Sequence, residues 1–312
     1  MMKILEYDDV DPLGVLQVNM LALEFALTPE HAAHIRQSDL RPFPFFAIYA
    51  VEDDKVWGQV GVVRLPMIST QGREDVGGVW AVSTHPQQSG RGVASLLLNE
   101  AHARMRDAGL RFSTLGTNRY RVAYNLYRQH GYEDTHVLAT ALACWETAHR
   151  PTRLHARQPG SEGYDLAENI FHQVASNYLG FAWRHTPFAP LRDKVSLGDV
   201  WILYENNRPI GYALAHLNKS MLEISCLLVP DGIDTTEAVA AVAAQFQASY
   251  VKVKITRPAE VASLKRAGFQ VAQPTWGAFM IKPLTLNVTV EDALQLFGIG
   301  TDRFLVSWLD MT

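Results

Sequence analysis

The run Ser89-Gly90-Arg91-Gly92-Val93-Ala94-Ser95 leaves a β-rich segment and passes straight into a helical one. Glycine lets a backbone approach a phosphate closely, the first N–H groups of a helix lack partners, and the helix dipole adds positive potential there. Such a loop has the parts of a cradle for a pyrophosphate, although the same spacing also suits a plain tight turn. It lacks the Gly-Lys-Ser/Thr end of a Walker A loop and the third glycine of the dinucleotide fingerprint, which argues against a nucleotide-binding domain of either kind. The other candidate is Tyr127, on the apolar face of a short helical segment. A hydroxyl there either sits satisfied in the core or holds a proton for a reaction.

These residues need elements to position them. Two β-rich runs, Phe45 to Val51 and Val56 to Arg64, flank Glu52-Asp53-Asp54-Lys55 and read as a hairpin. A third run, Val76 to Ser83, leads to the glycine loop. Val93, Leu97, Ala101 and Met105 then recur with helical spacing, and Gly109 supplies a left-handed cap. A strand from Arg111 to Leu115 precedes a helix carrying Ala123, Leu126, Tyr127 and His130 on one face and closed by Gly131.

The second half restates this order. Val200 to Tyr204 and Pro209 to His216 form a hairpin around Glu205-Asn206-Asn207-Arg208, Leu222 to Val229 is the central strand, and Asp234 with Glu237 offers a capping box for a helix through Gln247. Tyr250 to Ile255 is a strand, and Pro258 to Ala267 a helix closed by Gly268-Phe269. We therefore expect two copies of one α/β (α+β) domain, each a mixed central sheet flanked by helices, at 1–147 and 166–312. The polar, proline- and glycine-containing stretch 148–165 would link them. Where the first copy has Gly90-Arg91-Gly92, the second has Pro230-Asp231-Gly232-Ile233-Asp234-Thr235, with a single glycine and two carboxylates.

A chain of 312 residues with 48% hydrophobic and 19% charged residues is long enough for two cores and is not of disordered composition. A formal charge of -4 gives no general pull toward nucleic acid or an anionic membrane, so neither is expected as a partner. The two cysteines, Cys144 and Cys226, fit no disulfide framework or thiolate metal site and read as buried thiols. No signal-peptide pattern or transmembrane-length apolar run occurs, which points to the cytoplasm.

The run from Val82 through Ala94 resembles motif A of the GNAT superfamily of N-acetyltransferases, around its Q/R-x-x-G-x-G/A signature. Ala123-Tyr124-Asn125-Leu126-Tyr127-Arg128-Gln129-His130-Gly131-Tyr132 is similar to that family's A-x-x-L-Y-x-x-x-G-F/Y helix. The resemblance covers residues 1 to about 147 through motifs and the rest through topology. It implies two GNAT-like domains, the second degenerate, and acetyl-coenzyme A as acyl donor to a small-molecule or peptide amine. Val82, Ser83 and Thr84 would lie along the pantetheine arm, Ser89, Gly90, Arg91, Gly92, Val93, Ala94 and Ser95 would hold the pyrophosphate, and Asn118 would contact the cofactor. Tyr127 would return a proton to the departing thiolate. A homo-oligomer is compatible with the sequence, and a non-catalytic acyl-coenzyme A sensor is the alternative to an enzyme.

Ser89 stands in the slot the family gives to Gln or Arg, and Tyr120 stands where an Asn is common, with Asn118 displaced from it. Gly78 and Leu115 occupy places where some relatives carry a basic glutamate. Glu74, Asp75 and His85 read as surface groups. In outline the chain is also similar to tandem GNAT proteins of the enhanced-intracellular-survival type. That likeness implies a base near the C-terminus, Asp310 or the terminal carboxylate of Thr312, against the alternative of a last strand completing the second sheet. Acceptor contacts are expected from Asn19 to Leu27, Pro42 to Tyr49 and Tyr178 to His185.

Overall fold

The computed structural model describes residues 2–26, 28–145 and 152–312, with the main chain alone over 42–45. In chain order the first elements are β1 (Lys3–Glu6), helices α1 (Pro12–Leu23) and α2 (Pro29–Ser38), and strands β2 (Pro42–Glu52), β3 (Lys55–Ser69) and β4 (Gly72–Thr84). Helix α3 (Val93–Asp107), β5 (Phe112–Asn118), α4 (Val122–Gln129), β6 (Glu133–His136) and β7 (Ala139–Cys144) follow. Beyond residue 151 come β8 (His155–Arg157), α5 (Gly163–Ala175), β9 (Leu179–Gly180), α6 (Ala189–Lys194), β10 (Val200–Glu205), β11 (Arg208–Asn218) and β12 (Met221–Leu228). The chain continues through α7 (Thr235–Ala243), β13 (Tyr250–Ile255), α8 (Pro258–Arg266), β14 (Gln270–Ala272), β15 (Gly277–Pro283), α9 (Val290–Phe297) and β16 (Phe304–Leu305).

Both expected hairpins form, and their turns share a cause. Asp53 and Asp54 have φ of 52° and 56°, Asn206 and Asn207 of 50° and 63°. Two successive left-handed residues make the turn whose twist matches paired strands, and Asp and Asn tolerate that region best after glycine.

The strands build two sheets of one design. The first runs β1-β2-β3-β4-β5-β15-β6 and the second β8-β10-β11-β12-β13-β7-β14, antiparallel except at β4/β5 and at β12/β13. The halves exchange a strand: β7 lies between β13 and β14, while β15 lies between β5 and β6. Sheet membership therefore crosses the expected connector, within which β8 pairs with β10 and α5 already begins; Ala148 to Pro151 lie outside the described residues.

Each sheet is covered on both faces. Val93, Leu97, Ala101 and Met105 of α3 pack with Tyr127 of α4 over the first sheet, while Ala293, Leu296 and Phe297 of α9 cover its other face. The second sheet takes α7 and α8 on one face and α5 and α6 on the other. Helix α7 is built of Ala and Val, and it ends at Ala243 rather than reaching Gln247. Cys226 is buried as expected, but Cys144 is exposed, because alternation along β7 turns Ala139, Ala141 and Ala143 inward and leaves Cys144 facing out. Among the described residues no helix is long and apolar enough to cross a membrane.

Candidate active site

The first sheet opens where its parallel pair β4/β5 ends. Strands β4 and β5 are matched only at Gly77/Ser113 and Gly78/Thr114, and beyond these β4 runs on to Thr84 and β5 to Asn118 without pairing. A bulge drives the divergence. Register shifts between Gln59 and Gly61 opposite Ala81, whose φ is 51°. A non-glycine residue in that region carries strain that its surroundings must hold. Here buried Gln59 donates from Nε2 to the Ala81 carbonyl at 3.2 Å and bonds reciprocally with buried Asn19 at 2.8 and 3.0 Å. Asn19, expected in the acceptor pocket, is thus a strut beneath the bulge. Nothing in the sequence marks Ala81, and Asn19 and Gln59 read as ordinary polar residues until the fold pairs them.

Val82, Ser83 and Thr84 lie on the free margin of β4 just past the bulge, with Ser83 buried and its hydroxyl unpartnered. After a 3-10 turn at Pro86–Gln88, the chain enters the glycine loop. Gly90 and Gly92 have φ of 76° and 79°, and a Cβ at either position would meet nothing within 4 Å. These glycines are needed for backbone conformation, and the space above them is open. Gly92 is the N-cap of α3 and no side chain caps it, so the N–H groups of Val93, Ala94 and Ser95 open the helix without a side-chain acceptor. The Val93 side chain points into the core, so only its main chain can serve a ligand. Arg91 reaches back to Gln88 Oε1 at 3.3 Å, and Ser95 Oγ meets His130 Nε2 at 3.1 Å.

Tyr127 lies on α4 with its ring against Tyr132, centroids 6.0 Å apart. Burial pushes its hydroxyl up to about 12, so it is protonated at neutral pH. Asn118 ends β5, and its Oδ1 accepts from Tyr120 N–H at 2.9 Å, shaping the turn into α4. Tyr120 stands in solvent.

Candidate bases are mostly committed elsewhere. Glu74 is held by Arg111 through two bonds of 2.7 and 2.5 Å, and Asp75 lies 3.8 Å from Arg64. His85 Nδ1 accepts from Gln87 N–H at 3.2 Å and its ring meets Trp57 edge-on. Asp310 is buried in a bidentate pair with Arg184 at 2.8 and 2.7 Å and also accepts from Ser307. It holds the last segment in place and is removed as a base. The last strand does not complete the second sheet: β16 pairs with β9, which pairs with β3 of the first. This course brings Thr312 into the opening, where its main-chain oxygen accepts from Gly116 N–H at 2.8 Å and its Cγ2 faces Gly78. A side chain at Gly78 or Gly116 would collide with Leu65 or crowd Met311 and Thr312.

A cavity of about 390 Å³ adjoins this point, walled by Gly116, Thr117 and Thr312 on one side and by the ends of β12 and β13 on the other. Of the expected acceptor residues Arg184 lines it; Leu27 and the side chains of 42–45 lie outside the described residues. Lys252 and Lys254 also line it. The alternation of Tyr250 to Ile255 was their signal: Val251, Val253 and Ile255 fill the core, which turns the lysines to the opposite face.

A bulged strand parts from its parallel neighbour beside a glycine loop that leads into an uncapped helix. Residues 17–135 match the family model of the acetyltransferase (GNAT) domain. No curated protein matches the chain in sequence. Among solved structures it is similar to a probable N-acyltransferase of Enterococcus faecalis, with TM-score 0.71 and 16% identity over 91% of this chain and 72% of that one. It is also similar to GCN5-related N-acetyltransferases from Kribbella flavida, TM-score 0.65 and 17% identity over 95% and 72%, and from Anabaena variabilis, 0.66 and 14% over 92% and 74%. At these identities the likeness is one of fold, including the paired sheets.

Proposed function

We propose that the protein is an acetyl-coenzyme A-dependent N-acetyltransferase that acetylates a primary amine of a small molecule or peptide. The observation that carries this reading is the open cradle of Gly90 and Gly92 on the uncapped N-terminus of α3, in line with the parted β4 and β5. The residues fit the donor because the space above Gly90 and Gly92 is open and no side chain caps the helix start. When bound, the donor supplies an activated thioester.

The protein's own groups do the rest. N–H groups from Gly92 to Ser95 hold the pyrophosphate, and the free margin of β4 from Val82 to Thr84 aligns the pantetheine arm. Main-chain donors on the same margin polarise the thioester carbonyl, as pre-aimed donors do wherever an oxyanion develops. The Tyr127 hydroxyl, kept protonated by burial, supplies the proton to the departing sulfur.

Free-thiol release, followed with acetyl-coenzyme A and a panel of primary amines, tests the reading. Amine-dependent release is expected. Tight binding of the donor without release for any amine would instead identify a sensor.

A further inference from the structure

We propose that the cavity between the two sheets selects an acceptor amine that also carries a carboxylate, with the Lys254 ammonium as its counter-ion. This rests on the acetyl-transfer reading and names the substrate class of that site.

Four cations line the cavity: Arg184, Lys252, Lys254 and Arg257. Three of them are matched. Arg184 is paired with Asp310 at 2.7 Å, Arg257 with Glu260 at 2.9 Å, and Lys252 with Glu223 at 3.3 Å, whose other oxygen accepts from Asn218. Among the described residues Lys254 has no hydrogen-bonded or ion-paired carboxylate; its Nζ lies 5.9 Å from the centre of the Trp308 ring. The side chain is exposed, yet local desolvation and the neighbouring Lys252 hold its ammonium below the usual range against the attraction of Glu223, and an incoming anion would relieve that penalty.

A single unmatched charge is complemented by a single opposite one, because a second negative charge would meet no free cation among the described residues of the cavity wall. That favours a carboxylate over a phosphate monoester. The remaining wall includes Leu138, Ile255, Trp276 and Met311, so the ligand should also present apolar surface. At about 390 Å³ the cavity falls within the usual range for small ligands, roughly 300–1,000 Å³.

The test uses the dipeptide alanyl-phenylalanine and its C-terminal amide, which differ by one negative charge. Calorimetry on the full chain should show the free acid binding about tenfold or more tighter than the amide, the size of one charge-assisted contact. Lys254→Met should abolish the difference by weakening only the acid, while Lys254→Arg should preserve most of it. The amide's unchanged affinity reports that the variants fold. Equal affinity for the two peptides, no binding of either, or a preference that survives Lys254→Met would each overturn the proposal. Thiol release with uncharged amines is read separately, so a failure of acetyl transfer and a failure of charge selection give different results.

Discussion

The two helix N-termini that follow the central strands differ in how they are capped. In the first copy Gly92 caps α3 without a side chain, and the space above Gly90 and Gly92 is open. In the second copy Asp234 caps α7, accepting from Thr236 N–H at 2.7 Å and from Ser263 on α8 at 3.0 Å. A carboxylate already occupies the place where an anion would sit, and a stability gain of about 1 kcal/mol from the cap replaces a binding site. The helices that close each unit diverge in the same sense. Both end with a left-handed glycine, Gly131 at φ 81° and Gly268 at φ 91°, preceded four positions earlier by Tyr127 in one and Leu264 in the other. The following residue donates back identically: Tyr132 N–H to the Tyr127 carbonyl and Phe269 N–H to that of Leu264, each at 3.0 Å. One backbone was kept twice, and the hydroxyl and the empty cap were kept once.

The largest effect expected from breaking this arrangement comes from separating the copies. Because β7 and β15 are exchanged, residues 1–150 and 151–312 expressed apart should each lack an inner strand and fail to fold, whereas co-expression should yield a complex. Circular dichroism and co-purification would check this, and a stable, monomeric first half would show that the exchange is dispensable.

Next in size is the cradle. Gly92→Asp should reduce acetyl-coenzyme A affinity at least about 100-fold, since a carboxylate opposes both the dipole and the ligand's charge. Gly232→Asp should leave it unchanged. Both glycines have positive φ, 79° and 90°, so backbone strain is similar in the pair and calorimetry isolates the electrostatic part. Equal losses in both variants would remove the cradle assignment.

Tyr127→Phe turns the first copy's helix toward the second's apolar version. Turnover should fall roughly 10- to 1000-fold with donor affinity nearly unchanged. A fall in affinity at constant turnover would make Tyr127 a packing residue.

The last comparison distinguishes the two cores by acid. The buried histidines among the described residues, His85, His102 and His136, all belong to the first sheet or its loops, while α7 over the second sheet has no titratable core side chain but the partly exposed Glu237. Burial pushes His102 down to about 3 and His136 to about 4. The unfolded chain therefore binds protons that the native state does not, so this stability is complete above the unfolded value near 6.5 and is lost as pH falls below it. At pH 5 the loss should be about 2 kcal/mol per histidine. Hydrogen exchange should show α3 and β5 losing protection before α7 and β13. His102→Gln, which can still bond the Tyr132 hydroxyl, should remove about half of that response; an unaltered pH profile would place the acid sensitivity elsewhere.

The periodicity of Val93 to Met105, the Asp-Asp and Asn-Asn turns and the two glycine-closed helices were legible in the sequence because each rests on interactions within a few residues. The cradle was legible for the same reason, since a left-handed glycine and an uncapped helix start are local properties. The bulge was not. Ala81 has no local cause for its φ of 51°, which is held by Gln59 from β3 and Asn19 from α1.

What the sequence determined by itself is the repeated design and the one copy with an uncapped glycine loop, because patterning, caps and turns are written in neighbouring residues. Only the tertiary structure decided that the copies trade β7 for β15, that Asp310 pairs with Arg184, and that Lys254 has no ion-paired carboxylate among the described residues. Those outcomes depend on which groups meet across long stretches of chain, and charge matching between distant elements has no signature in the order of the residues.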